Sequence, residues 1–212
     1  MLGPGAASPG SGVEALRRCG TVGHSTDPKG ALLDPFDDLI HANQVHAAAF
    51  DGGDLAAIPR RHLAVLTCMD CRIDEHEAFG IAAGDAHVLR NAGARASDDA
   101  LRSLVKSTHQ LGVERIAVIH HTDCGAAKIQ LDELRAKVLE STGHDPVDVD
   151  FHLIGDPDQA LLDDVERICT SPYLPAGTLV AGFVYDVRTG LLDHRISSQV
   201  GDYSYEGSSH QG

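Results

Sequence analysis

Residues 63–72 read LAVLTCMDCR, and residues 116–125 read IAVIHHTDCG. Each stretch is a short apolar run that ends in a polar cluster containing cysteine and aspartate. Short apolar runs of this kind predict buried strands of a parallel sheet. Because the carboxyl ends of parallel strands meet at one edge of a sheet, we expect the two clusters to lie close together.

Amphipathic helices are predicted between the apolar runs, and several have recognisable start signals. Asp34-Pro35 predicts a helix that reaches about Phe50, and Ser97 and Asp156-Pro157 predict two further helix starts. A fourth helix is expected between Gly125 and Gly143. Further strands are predicted at 86–89, at 179–187 and, after a turn at 188–190, at 191–196. This alternation predicts an α/β fold with a mainly parallel central sheet, an antiparallel edge strand and helices on both faces.

The length of 212 residues suits one domain with flexible ends. Residues 1–30 are expected to form a disordered or loosely packed arm, since the first twelve are rich in Gly, Pro, Ala and Ser. We expect the folded domain to span residues 31–197 and a loose polar tail to span residues 198–212.

The charge balance bears on partners and location. The net charge is −14, from 17 basic and 31 acidic residues, and such a field repels a nucleic acid backbone. No apolar run reaches 18 residues, and the N-terminus lacks the pattern of a secretory signal. We therefore expect a cytoplasmic protein with no nucleic acid and no membrane as partner.

The two polar clusters together contain the ligand types that zinc prefers. Cys68 follows the first apolar run, while His121 and Cys124 follow the second. Three protein ligands with an open fourth position are typical of a catalytic zinc site. His120 is also available, but the three-residue step to Cys124 favours His121. The sequence therefore predicts a zinc site at this edge of the sheet.

Asp70 and Arg72 are two residues apart, so in an extended segment their side chains point the same way. An arginine can bind a carboxylate through two hydrogen bonds and keep it ionised. An ionised Asp70 beside a zinc ion could orient the metal-bound water, whose pKa zinc lowers from about 15.7 to roughly 7. The resulting hydroxide would attack an electrophilic carbon.

Cys-x-Asp-x-Arg at 68–72 and His-x-x-Cys-Gly at 121–125 resemble the motifs of the β-class carbonic anhydrases. Further similar segments are Gly84-Asp85-Ala86, Arg90-Asn91-Ala92-Gly93 and Ser97-Asp98-Asp99. The resemblance covers about residues 34–195. The chain has no tryptophan, and its short form resembles the compact bacterial branch, which includes members similar to carbonyl sulfide hydrolases.

This resemblance implies a zinc hydro-lyase, a carbonate dehydratase that interconverts carbon dioxide with bicarbonate and a proton by attack of zinc-bound hydroxide. The implied site holds one Zn²⁺ per chain on Cys68, His121 and Cys124, with Asp70 and Arg72 as the catalytic dyad and Gly93 near the substrate. In some family members this aspartate binds the zinc and closes the site. The alternative reaction at the same site is hydrolysis of carbonyl sulfide or carbon disulfide. A homodimer or homotetramer is also implied.

Position 71 departs from the family pattern, because it is Cys where members usually have Ser or Ala. Cys68-x-x-Cys71 is a spacing found in redox and structural zinc sites. One alternative is a closed, structural site in which Cys71 is a fourth ligand. In the other, Cys68 and Cys71 form a disulfide that ejects the metal on oxidation.

Overall fold

The computed structural model describes residues 35–202, and its central feature is a five-stranded sheet. The strands are β1 Leu63–Cys68, β2 Ala86–Asn91, β3 Arg115–His121, β4 Leu179–Tyr185 and β5 Leu192–Gln199. Their order is β2-β1-β3-β4-β5, and only the edge pair of β4 and β5 is antiparallel. The predicted fold class, a mainly parallel sheet with an antiparallel edge strand, is therefore confirmed.

Five helices accompany the sheet within the described residues. They are α1 Asp37–Ala47, α2 Glu75–Phe79, α3 Asp98–Gln110, α4 Leu131–Thr142 and α5 Pro157–Cys169. Ser97 caps α3 by accepting a hydrogen bond from the Ala100 amide, and Asp156 caps α5 with Pro157 in its first turn. The start signals predicted at Ser97 and at Asp156-Pro157 are therefore confirmed.

The main core lies between one face of the sheet and the helices α3 and α5. Alternate residues of the strands point into it, as expected for a period of two in a strand. The core includes Ala64, Leu66, Ile116, Val118 and Val180 from the strands and Ala100, Leu104, Leu161, Val165 and Ile168 from the helices. A Cβ atom added to Gly182 would lie 2.8 Å from Ile196 and 3.1 Å from Val165, so a larger residue there would disturb this packing.

The opposite face of the sheet carries a second, smaller apolar cluster. Leu63, Val65 and Ile119 are buried there, and Phe79 at the end of α2 packs against them. Helices thus contact both faces, but the long helices α3 and α5 lie on the same one. Residues 115–117, 179–181 and 197–198 border an open cleft at the edge of the sheet where β3 and β4 begin and β5 ends.

Contacts within the chain divide it into two units at Gly53. The described part of the first unit, residues 35–53, contains α1. None of the residues of α1 is buried, and Leu39, Ile40 and Val45 are more than half exposed. The second unit contains the sheet and the other helices.

Several predicted boundaries differ from the structure. Strand β2 extends past the predicted end at residue 89 to Asn91, and β4 ends at Tyr185, before the predicted end at residue 187. The first helix begins at Asp37, because Pro35 and Phe36 form a turn ahead of it, and Asp34 lies outside the described residues. The last strand extends beyond Ile196 to Gln199, which pairs with Leu179. Val200 is buried and donates its backbone N–H to the Thr178 carbonyl, so residues 198–200, predicted to belong to a loose tail, are part of the folded sheet region.

The remaining predictions about the chain ends stay predictions. Residues 1–30, expected to form a loose arm, lie outside the described part of the chain, as do residues 203–212. Within residues 35–202, no helix combines the length and apolar character that a membrane span requires.

Candidate metal centre

The polar clusters meet at the carboxyl edge of the parallel strands, as the sequence predicted. Cys68 is the last residue of β1 and His121 is the last residue of β3. Cys124 follows three residues later, after Asp123 turns the chain through a left-handed conformation with φ 56°. Aspartate tolerates this backbone region better than most residues.

Cys68, His121 and Cys124 form a buried group whose ligand atoms all lie within 4.8 Å of one another. The two Sγ atoms are 3.9 Å apart. Thiolate and imidazole groups at such spacings suit the tetrahedral coordination that zinc prefers. The group contains neither His120 nor Cys71.

The orientation of His121 fits a metal ligand. Its Nδ1 lies 2.9 Å from the Thr122 carbonyl oxygen, and a hydrogen bond to a carbonyl requires the proton to sit on Nδ1. Nε2 then carries a free lone pair. That atom is buried and has no hydrogen-bond partner among the described residues. Metal-bound histidines commonly have this arrangement, in which a backbone carbonyl holds the far nitrogen.

The two thiols differ in their surroundings. Cys68 accepts hydrogen bonds from Cys124 and from the Gly93 amide, whose nitrogen lies 3.4 Å from Sγ. These bonds lower the pKa of the Cys68 thiol, the bond from Cys124 most of all. The same shared hydrogen bond, together with burial, raises the pKa of Cys124. The shared hydrogen bond therefore favours the thiolate form of Cys68 over that of Cys124.

Gly93 reaches Cys68 because its backbone adopts a conformation that glycine tolerates best. Its φ is 82°, and an added Cβ would lie 2.7 Å from Ile154 Cδ1. A side chain at this position would both strain the backbone and push against Ile154. The sequence-based prediction placed Gly93 near the substrate, and the structure places its amide on a candidate ligand.

Asp70 and Arg72 form the expected two-pronged pair. Arg72 donates from Nε to Asp70 Oδ1 over 2.9 Å and from Nη2 to Oδ2 over 2.7 Å. The Arg72 side-chain and backbone hydrogen bonds hold the pKa of the Asp70 carboxyl well below its usual value. Asp70 Oδ2 lies 3.8 Å from His121 Nε2. An ionised carboxylate therefore lies beside the candidate ligand group.

Asp123 is a further member of this network that the sequence analysis did not single out. Arg72 Nη1 donates to Asp123 Oδ2 over 2.9 Å, and Lys128 donates to the other carboxylate oxygen. Lys128 and Arg72 lower the pKa of Asp123 to about 2. Its place between His121 and Cys124 in the sequence is a signal that could have identified it.

A cavity of about 600 Å³ opens above these groups. Its lining includes the polar residues Asp70, Arg72, Asp123 and Lys128 and the apolar residues Met69, Ala92, Ala126 and Ile129. Cys71 lines the rim and is exposed. A small apolar molecule could therefore reach the ligand group.

Comparison with known proteins agrees with this geometry. The family profile described as carbonic anhydrase matches residues 63–145, which contain all of the predicted site residues. β-Carbonic anhydrase 1 of Mycobacterium tuberculosis is 36% identical over 159 residues, covering 74% of this chain and 95% of that protein. The chain belongs to the β-carbonic anhydrase family.

Other members of the β-carbonic anhydrase family extend the comparison. Carbon disulfide hydrolase of Acidianus sp. is 34% identical over 156 residues, covering 62% of this chain and 76% of that protein. The crystal structure of carbonic anhydrase from Streptococcus mutans is 38% identical, with a TM-score of 0.73, and covers 77% of this chain and 99% of that one. Both comparisons place the chain in a family of enzymes.

One buried network behind the β-carbonic anhydrase site was also missed from sequence. Asp164 on α5 accepts hydrogen bonds from Arg95, from the Ala96 amide and from His120 Nε2. His120 thus points away from the ligand group, which explains why it is not a member. The residues of this network are far apart in sequence, so no local motif could have shown it.

Proposed function

We propose that this protein is a zinc-dependent carbonic anhydrase that catalyses the reversible hydration of carbon dioxide to bicarbonate and a proton. One observation carries the proposal: a buried Cys68–His121–Cys124 group with ligand atoms within 4.8 Å lies beside Asp70, which Arg72 holds ionised. Membership of the β-carbonic anhydrase family supports the same reaction. One Zn²⁺ per chain is proposed.

Cys68, His121 and Cys124 are the residues that would hold the zinc. The unpartnered Nε2 atom and the two nearby thiols fit such an ion. When bound, zinc acts as a Lewis acid and lowers the pKa of water to roughly 7, which makes hydroxide available at neutral pH. The Gly93 N–H bond to Cys68 stabilises the negative charge on that sulfur.

The proposed catalytic residues act on the water and on each other. An ionised Asp70 can only accept hydrogen bonds, so it would orient the reacting water by accepting a hydrogen bond from it. Arg72 keeps Asp70 ionised and fixes the carboxylate through two hydrogen bonds. The apolar lining residues Ala92 and Ala126 suit a small, uncharged substrate.

Stopped-flow measurement of carbon dioxide hydration tests the proposal. The purified protein should contain one zinc per chain and should hydrate carbon dioxide in buffer near neutral or mildly alkaline pH. Removal of zinc with a chelator should abolish the activity, and added zinc should restore it. A zinc-loaded protein that fails to hydrate carbon dioxide would contradict the proposal.

Hydrolysis of carbonyl sulfide or carbon disulfide is the second candidate function. Carbon disulfide hydrolases are among the similar proteins, and a crystal structure of one, in its apo form, has a TM-score of 0.56 at 29% identity. The open cavity and its apolar lining residues would admit these substrates as well. Release of hydrogen sulfide from either substrate, compared with carbon dioxide hydration by the same preparation, ranks the candidates.

A structural or redox-switched zinc site is the remaining alternative. It requires Cys71 to join Cys68, whereas the compact ligand group consists of Cys68, His121 and Cys124. Cys71 is exposed, while Cys68 is buried. These positions support an open catalytic site.

A homodimer, or a homotetramer built from two such dimers, is the proposed assembly. The apolar side chains of α1 are exposed, which is costly in water and typical of a surface that contacts a partner. Light scattering on the purified protein measures the mass directly. A mass of one chain at micromolar concentration would contradict this assembly.

A further inference from the structure

Arg72 contacts two carboxylates, and the proposed reaction uses only Asp70. The second carboxylate belongs to Asp123, whose Oδ2 accepts from Arg72 Nη1 over 2.9 Å. Arg72 Nη2 also donates to the Asp123 backbone carbonyl over 3.0 Å. Through these bonds the guanidinium joins the loop after β1 to the loop after β3. Cys68 and His121 are the last residues of the two strands, and Cys124 lies in the second loop, so both loops border the candidate ligands.

Asp123 is itself held from two sides. Arg72 binds one carboxylate oxygen and Lys128 binds the other. The backbone of Asp123 has a φ of 56°, which fixes the direction in which its side chain leaves the chain. Asp123 is therefore a firm anchor for the outer edge of the Arg72 guanidinium.

Loss of this anchor would weaken the hold on Asp70. The Arg72 side chain is 42% exposed, so without Asp123 it can turn toward solvent and exchange its remaining bonds for water. Asp70 Oδ2 lies 3.8 Å from His121 Nε2, the atom whose lone pair would bind a metal ion. A released Asp70 carboxylate is thus already near the metal position and carries the charge to bind there.

We propose that Asp123, braced by Lys128, is a positioning residue that keeps Arg72 on Asp70 and thereby keeps Asp70 off the metal. The inference rests on the proposed zinc site. In this arrangement Asp123 sets how often the fourth metal position is open to substrate. Lys128 acts on Arg72 only through Asp123, because it contacts Asp123 and not Arg72.

Cobalt-substituted protein at a fixed, mildly alkaline pH provides the test. Thiocyanate binding at an open cobalt position changes the visible absorption, so a titration measures how open that position is. Asp123→Gly removes the carboxylate and suits the positive φ, while Asp123→Asn removes only the charge. We expect Asp123→Gly to weaken thiocyanate binding by about tenfold, because molecules with an open fourth metal position would become a minor fraction. Asp123→Asn should weaken the binding less.

A second substitution separates a role of Asp123 in positioning Asp70 from a general disturbance of the site. In the double variant Asp70→Asn with Asp123→Gly, the neutral amide is a poor competitor for the metal, so thiocyanate binding should return to the level of Asp70→Asn alone. Lys128→Met, at a 65% exposed side chain, should weaken binding in the same direction by a smaller factor. Asp145→Asn removes a similar surface partner of an arginine away from the site and serves as the control.

The outcomes separate this inference from the proposed function. Failure of the wild-type protein to take up cobalt, or to bind thiocyanate once loaded, contradicts the proposed function and the inference with it. A functional wild type whose Asp123 variants bind thiocyanate normally overturns the inference alone. Weak binding that the added Asp70→Asn substitution does not restore also overturns it, because the defect would then not pass through Asp70.

Discussion

Two arginine–carboxylate networks flank the candidate ligand group, and they differ most in their exposure to solvent. In the inner network, Asp164 and His120 side chains are 3% and 6% exposed. In the outer network, Arg72 and Asp123 side chains are 42% and 36% exposed. A buried charge pair is costly to break, whereas an exposed pair contributes little to stability. The inner network should therefore determine folding and the outer one turnover.

The inner network connects the structural parts behind the site. Asp164 on α5 binds Arg95 and the Ala96 amide, which follow the turn containing Gly93. It also binds His120 at the end of β3, next to His121. Three elements thus meet on one buried carboxylate. The outer network instead faces the cavity, where its groups can contact substrate and water.

The largest expected effect is on stability and comes from the inner network. Asp164→Leu would leave the half-buried Arg95 and the buried His120 without this partner, and we expect a loss of about 3–5 kcal/mol in the free energy of unfolding. Urea denaturation followed by circular dichroism measures this loss. Asp163→Leu, at the exposed neighbouring position of the same helix, is the control and should change stability by less than about 1 kcal/mol. Equal effects of the two variants would show that the buried network does not add the stability expected of it.

The next effect is on turnover and comes from the outer network. Asp70→Asn keeps the size of the side chain but supplies a neutral amide, which no longer accepts hydrogen bonds as strongly. We expect kcat for carbon dioxide hydration to fall by about 10²-fold, within the range for loss of an acid–base group. Zinc content should stay at one per chain, since Asp70 is not a proposed ligand. Stopped-flow kinetics and metal analysis on the same sample measure both quantities.

A near-normal kcat for Asp70→Asn would contradict the catalytic role of the dyad. A loss of stability as large as that of Asp164→Leu would instead show that the outer network also determines folding. The Asp145→Asn variant serves again as a control, because Asp145 pairs with Arg135 away from the cavity.

The same contrast explains which features were predictable from sequence. Cys68, Asp70 and Arg72 lie within five residues, and His121 and Cys124 within four, so local spacing was enough to predict a zinc site and a carboxylate beside it. The sheet followed from the apolar runs at β1, β3 and β4, since burial on both faces requires continuous apolar sequence. These features depend on neighbours along the chain.

Features that depend on distant partners were not predictable in this way. Asp164 is 69 residues from Arg95 and 44 from His120, and Asp123 is 51 from Arg72. Charged residues such as Asp164 are usually exposed, so its burial depended on tertiary contacts. The last strand was predicted too short for a similar reason: Ser198 and Gln199 are polar, but their backbone pairs with β4.

A smaller effect is expected from a third arginine–carboxylate pair, Arg60 and Asp85, which is outside the cavity. The Arg60 hydrogen bonds and the Ala82 amide lower the pKa of the Asp85 carboxyl. Because the folded pKa is below the usual value of about 3.9, this stabilisation is present at higher pH and is lost as pH falls through the folded pKa. The stability difference between wild type and Asp85→Asn should stay constant above about pH 5 and shrink below about pH 4.

Urea denaturation of both proteins at a series of pH values measures this difference, and carbon dioxide hydration near neutral pH should be unchanged in the variant. A difference that grows on acidification would have the wrong sign for a carboxyl group whose pKa is lowered. A fall in turnover would show that an arginine–carboxylate pair need not face the cavity to affect catalysis.

The smallest effect is expected at Cys71, which lies between Asp70 and Arg72 in sequence but belongs to neither network. It is exposed and is not part of the compact ligand group. Cys71→Ser should therefore retain one zinc per chain and change kcat by less than about twofold, as expected for a surface substitution. Zinc analysis and stopped-flow kinetics, with and without peroxide treatment, measure these properties.

Cys124→Ser is the matched comparison, because it replaces the same side chain inside the ligand group. This variant should lose zinc, since a hydroxyl is a far weaker ligand for zinc than a thiolate. Loss of zinc from Cys71→Ser as well would indicate a closed site with four protein ligands. Resistance of Cys71→Ser to a peroxide treatment that removes zinc from the wild type would indicate the redox alternative. With neither result, the residue between Asp70 and Arg72 has no part in holding the metal, and the outer network acts through its charged groups alone.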